Sequence, residues 1–153
     1  MKTLKHSFLL AALLLIAPFS FAQSDNDNEE DETDEIIILN KKDFLEKVFN
    51  YEVHKDTFIY EGKLPCIVDF YADWCPPCKI VDPILKKLAK EYKGKIIIYK
   101  VNTDNERELA KAFSISNIPT YFFISAKSEP GSAKGALTRE SFVKIIDEIL
   151  LKD

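Results

Sequence analysis

Apolar positions along this chain switch repeatedly between unbroken runs and helical stripes. Ile36-Ile37-Ile38-Leu39 has the length of a short buried strand, and Lys42 to Phe49 sets Phe44, Leu45, Val48 and Phe49 along one side of a helix. Asn50 to Leu64 is less regular, with Thr57-Phe58-Ile59-Tyr60 readable as an additional strand before a turn at Glu61-Gly62. Ile67 to Tyr71 is the continuous apolar run of a strand covered on both faces. The stretch from Pro76 to about Tyr92 predicts a long helix with Ile80, Ile84, Leu85, Leu88 and Tyr92 inward, and a kink at Pro83.

Gly94 stops that helix. Lys95 to Asn102 is strand-like through Ile96-Ile97-Ile98-Tyr99, and a helix follows from about Asn105 to Phe113 with Glu106 near its start. Tyr121-Phe122-Phe123-Ile124 predicts the next strand, Pro130-Gly131 a turn, and Lys134 to Leu137 a last short strand. Thr138-x-x-Ser141 opens a final helix to Leu150, with Phe142, Ile145, Ile146 and Ile149 inward. Strands alternating with helices give an α/β class with a central sheet, and 153 residues without repeats fit one domain.

The first 35 residues change this picture. Lys2 and Lys5 precede an uncharged run from Phe8 to Ala17, then Pro18 and Ser20-Phe21-Ala22, the pattern of a secretory signal cleaved after Ala22. The apolar run is about half of the roughly 20 residues a spanning helix needs. Residues 1–22 are therefore expected to be a signal peptide that sends the chain to the periplasm. Gln23 to Glu35 carries eight acidic residues and no basic or apolar one, so residues 23–35 read as a disordered acidic linker, a solvated spacer. The expected domain, residues 36–153, holds 19 basic against 17 acidic residues. That near-neutral balance gives no electrostatic case for a nucleic-acid partner.

The candidate chemistry sits where the central strand breaks into Asp73-Trp74-Cys75-Pro76-Pro77-Cys78-Lys79. Residues three apart share a helix face, so a helix opening at Cys75 holds both sulfurs within reach of one disulfide. Its first turn offers unpaired N–H groups and the positive end of the helix dipole, which favour a thiolate at Cys75. Three cysteines and two histidines, none of the others at ligand spacing from the pair, make a structural zinc site a poor reading, and no metal or cofactor is expected. Cys66, in apolar company at the start of the central strand, reads as a small hydrophobe.

Four separated places now resemble the thioredoxin family. They are Val68-Asp69-Phe70-Tyr71-Ala72-Asp73-Trp74-Cys75-x-Pro77-Cys78-Lys79, then Pro83, then Lys100-Val101-Asn102-x-Asp104, then Ile118-Pro119-Thr120. The resemblance covers about Ile36 to Lys152 and implies the thioredoxin fold, a central mixed β-sheet flanked by helices. Residue by residue it implies Cys75 as the exposed nucleophile, Cys78 as the buried resolving thiol, Asp69 as the carboxylate beneath the site and Lys100 as its cationic neighbour. Pro119 becomes the cis-proline facing the disulfide, and Trp74, Ile118, Gly135 and Ala136 line a substrate groove. Pro76, Asn117 and Lys134 depart from the usual pattern, standing in place of a glycine, a small glycine and an apolar groove residue.

The implied activity is thiol–disulfide exchange, and the expectation is a protein-disulfide reductase of the cell envelope. It would be a monomer acting on disulfide-containing client proteins and recharged by a thiol electron donor in the membrane, serving electron transport and redox homeostasis. Oxidase-type relatives commonly carry a histidine between the cysteines, which this chain lacks. Two alternatives stand beside this reading. The Pro-Pro pair is shared with exported reductases dedicated to cytochrome c maturation, although their usual insertion after the active-site helix is absent here. A non-catalytic binding module of the same fold would use the groove without turnover.

Overall fold

The computed structural model describes residues 36–152, so the expected signal segment 1–22 and acidic linker 23–35 lie outside the described residues. Five strands form one sheet: β1 (Ile37–Ile38), β2 (Cys66–Tyr71), β3 (Ile97–Asn102), β4 (Thr120–Ser125) and β5 (Ser128–Lys134). Their order is β1-β3-β2-β4-β5, with β1, β3 and β2 parallel and β4 and β5 antiparallel to their neighbours. The sheet is mixed, as the resemblance implied.

Four helices cover it: α1 (Lys41–Lys47), α2 (Pro76–Glu91), α3 (Arg107–Ala112) and α4 (Arg139–Ile145). Three of the four starts have a local cause. Asn40 Oδ1 accepts from the Asp43 N–H at 2.9 Å at the head of α1, and Thr138 Oγ1 accepts from the Ser141 N–H at 3.3 Å at the head of α4. Prolines occupy the first positions of α2, where a missing N–H costs nothing. The helix then runs on through Pro83 to Glu91.

Side-chain alternation along β2 sorts the core into two layers. Ile67, with Ile98, Tyr121 and Phe123, faces α2 and α4 through Val81, Leu85, Leu88, Phe142 and Ile146. Cys66, Val68 and Phe70, with Tyr99 and Val101, face Phe44, Val48 and Leu109 on the other side. Burial of β2 on both faces accounts for its unbroken apolar sequence.

Five expectations are corrected. Thr57 to Tyr60 forms no strand: the Glu61 N–H goes to the Val48 carbonyl at 3.0 Å, the Tyr60 hydroxyl to the Leu64 carbonyl, and Phe58 packs on Phe49, so the segment is held by side chains and single bonds rather than a ladder. Pro130-Gly131 lies inside β5 rather than at a turn. Glu129 and Pro130 together oppose Ile124, and this bulge on an edge strand accommodates a residue with no N–H to donate. The last strand accordingly ends at Lys134.

Ile80 is 65% exposed, and Val81 takes the inward place, because the Cys75 and Cys78 side of α2 sets its phase. After α4 the chain passes into a π-helical turn, Ile146–Leu150, whose wider turn brings Leu150 inward and leaves Ile149 41% exposed.

Candidate active site

The site lies where β2 ends and α2 begins. Cys75 is the residue that caps α2, and its Sγ accepts from the Cys78 N–H at 3.2 Å. The two sulfurs are joined as a disulfide, with Cα atoms 5.3 Å apart. The helical spacing predicted that closeness.

The expected exposure of Cys75 is not found. Cys75 is 1% exposed and Cys78 5%, because Ile118 and Tyr71 pack against the pair and Ala72 lies beneath it. In this oxidised form the disulfide is recessed, and neither cysteine is distinguished from the other by burial.

The surrounding loops are tied to one another by polar contacts. Trp74 is 66% exposed, yet its Nε1 donates to Asp104 Oδ2 at 2.8 Å. Asp104 is in turn placed by its own N–H on Asn102 Oδ1 at 2.9 Å, while Asn102 Nδ2 reaches Asp73 Oδ2 at 3.2 Å. The Ile118–Pro119 bond is cis, as the resemblance implied. The Pro119 carbonyl accepts from the Gly135 N–H at 2.8 Å, and Gly135 has φ 86°, a conformation that favours glycine. Ala136 follows it on the surface. Lys134, in register with Thr120, is exposed at the same edge, and Asn117 accepts the Thr120 hydroxyl at 2.6 Å.

Beneath this surface, Asp69 sits in the middle of the sheet, in register with Lys100 on β3 and Tyr121 on β4. Burial pushes its carboxyl up to about 7, with the Lys100 ammonium opposing the shift and the Asp82 carboxylate adding to it. Lys100 Nζ is 3.7 Å from Asp69 Oδ2, longer than a hydrogen bond, and lies 4.2 Å from the centroid of the Tyr71 ring. Asp69 Oδ1 and the Tyr121 hydroxyl are both buried without a hydrogen-bond partner. Burial, and after it the nearby Asp69 charge, raises the Tyr121 phenol above its ordinary range.

Sequence reasoning missed Asp82. It donates no motif, but it lies four residues after Cys78 and therefore on the same side of α2, and that spacing was the available signal. Its Oδ1 accepts from Lys100 Nζ and its Oδ2 lies 2.8 Å from Lys86 Nζ. Burial alone would raise the Asp82 carboxyl, but the hydrogen bonds from Lys100 and Lys86 outweigh it and hold it below the usual carboxylate range. A cavity of about 420 Å³ opens beside these groups, lined by Cys78, Asp82 and Lys100 among others. Cys66 stands apart, buried on the opposite face of the sheet, where burial pushes its thiol up to about 12 and keeps it unreactive at neutral pH.

A dithiol at a helix start, a buried titratable carboxyl and a recessed loop beside the sulfurs can together perform thiol–disulfide exchange. The sequence model of the family described as thioredoxin matches residues 35–148. The chain is 40% identical over 112 residues to a thioredoxin of Borreliella burgdorferi, a match covering 73% of this chain and 95% of that protein. It is also 40% identical over 93 residues to a chloroplastic M-type thioredoxin of Spinacia oleracea, covering 61% and 51%, and 36% identical over 95 residues to that of Pisum sativum, covering 62% and 55%. It spans about half the length of these chloroplastic relatives and nearly all of the bacterial one. This chain therefore belongs to the thioredoxin family, and with Cys75 and Cys78 paired at the head of α2 it is a thioredoxin-like protein-disulfide reductase.

Proposed function

We propose that this protein reduces disulfides of client proteins in the periplasm, with Cys75 attacking and Cys78 resolving. The observation that carries the reading is the Cys78 N–H pointing at Cys75 Sγ from the first turn of α2, a donor that favours a thiolate at Cys75. In the reduced protein the Cys75 thiolate attacks one sulfur of a client disulfide and expels the other as a thiolate, giving a mixed disulfide. Cys78 then gives up its proton and attacks Cys75 Sγ, which breaks the mixed disulfide and releases the second client sulfur. Two electrons have passed to the client, and Cys75 and Cys78 are left joined. A thiol donor, membrane-bound in this reading, returns the pair to the dithiol.

Asp69 is the proton acceptor for Cys78, directly or through a water, because its carboxyl titrates near the working pH. Lys100 tempers that titration. Trp74, Ile118, Pro119, Gly135 and Ala136 form the surface against which an extended client segment lies. Clients thread past Ile118 to reach a disulfide that is recessed rather than exposed. The protein acts as a monomer.

Single-cysteine variants test the assignment. Cys78→Ser is expected to accumulate clients joined to Cys75, and Cys75→Ser to lose reduction of a protein disulfide without accumulating them. The opposite pattern of trapping reverses the two roles. Localisation is checked on the same expressed chain: the periplasmic fraction should hold a protein beginning at Gln23, and recovery of the chain from the cytoplasm with Met1 retained would overturn the envelope assignment.

A further inference from the structure

We propose that Asp82 is a positioning residue for the thiol chemistry: its carboxylate takes the hydrogen bond of the Lys100 ammonium and keeps that group from closing onto Asp69, leaving the Asp69 carboxyl able to exchange a proton with Cys78. The proposal rests on the reading of Asp69 as the proton acceptor. It deepens that reading by naming what keeps the Lys100–Asp69 ion pair loose and without a hydrogen bond.

The geometry is asymmetric. Lys100 lies opposite Asp69 in the β2–β3 register and is the natural partner for it, yet its Nζ hydrogen-bonds to Asp82 and stays 3.7 Å from the nearer Asp69 oxygen. The other Asp69 oxygen has no hydrogen-bond partner at all. Asp82 is itself anchored, because its second oxygen holds Lys86 one turn further along α2. A carboxylate gripped by two ammonium groups stays ionised and stays in place.

Every charged neighbour acts in the same frame. Asp82 is paired with Lys86 from its own helix and with Lys100 from β3, and it shares the lining of one cavity with Lys79 of α2, Tyr71 at the end of β2, Asp73 just after it, and Cys78. Asp69 is faced by Lys100 from one side and the Tyr121 hydroxyl from the other. Lys100 is therefore the cation for which the two carboxylates compete, and Asp82 holds it.

Removing the Asp82 charge does two things to Asp69, both of the same sign. It releases Lys100 toward Asp69 and deletes a nearby negative charge, so the ionised form of Asp69 gains and its titration moves to lower pH. The test follows the Asp69 carboxyl carbon by NMR through a pH titration of the reduced chain, beside the pH profile of protein-disulfide reduction.

In Asp82→Asn the Asp69 midpoint is expected to fall by about one pH unit, the size of effect an ammonium at close range exerts. Asp82→Glu should restore most of the shift, and in a Lys100→Met background the Asn substitution should move the midpoint less than half as far. The acid limb of the activity profile should move to lower pH together with it. An Asp69 midpoint that stays in place or rises in Asp82→Asn overturns the proposal. A midpoint that falls while the activity profile stays where it was leaves Asp82 as the holder of Lys100 but removes Asp69 from the reaction, and with it the part of Asp82 in the thiol chemistry.

Discussion

Asp69 shows how far a single residue can depart from its surroundings. A carboxyl in the middle strand of a sheet, its neighbours Val68 and Phe70 fully buried, binds its proton far more tightly than the same group in the unfolded chain. The folded value of about 7 lies above the unfolded 3.8, so the folded protein holds more protons between those pH values, and stability falls as pH rises through this window. Below it the ionisation of this group no longer costs stability. Asp69→Asn is therefore expected to stabilise the protein by about 2–4 kcal/mol at pH 8 and by little near pH 3.5, measured by urea unfolding at both pH values. Equal gains at the two pH values would mean that packing, rather than ionisation, is what the substitution changes. The carboxyl was legible in the sequence because Asp interrupts an apolar run. Its competition for Lys100 was not, since Asp82 belongs to a helix surface on which charged residues are ordinary, and only the fold brings that surface over β3.

At the scale of elements, periodicity carried strands β2, β3 and β4 and all four helices, because each buries a face large enough to impose its period on the sequence. It failed where burial is partial or where backbone geometry shifts the phase. Thr57 to Tyr60 has strand composition, but its partners for hydrogen bonding lie in the adjoining loop and the end of α1, which no local pattern encodes. The Pro130-Gly131 pair reads as a turn in isolation and is absorbed by a bulge because β5 is an edge strand, a fact of topology. The exchange of Ile149 for Leu150 comes from one added residue in a π turn. Recession of Cys75 likewise depends on Ile118, more than forty residues away, packing over the sulfurs. The site's residue types were thus readable one by one, whereas their exposure and pairing are products of the loops that meet at the carboxyl end of β2.

For the molecule as a whole, the two faces of the sheet divide the labour. One face carries Asp69, Lys100 and the helix that bears the sulfurs, so its polar groups interrupt the apolar packing. The other face is unbroken and supplies compensating stability. Half-buried Phe113, at the end of α3, packs against it, its ring meeting Phe44 of α1 at 5.1 Å between centroids, Phe122 of β4 at 5.6 Å, Tyr51 at 5.7 Å, Phe70 of β2 at 6.1 Å and Phe49 at 6.4 Å. One side chain thereby joins two helices, the loop after α1 and two central strands. Truncating it removes these contacts together and leaves a gap, open on its solvent side, among groups anchored on separate elements. Phe113→Ala is expected to cost about 2–3 kcal/mol in urea unfolding, less than a fully buried ring would, with a lower midpoint and an unchanged slope. Because Phe113 lies across the sheet from the sulfurs, the folded variant should keep the redox potential of its parent, measured against a glutathione buffer. A loss below about 1 kcal/mol would show that the neighbouring rings close over the gap and hold the face without it, while a shift of more than about 10 mV would mean that this core is coupled to the disulfide through β2.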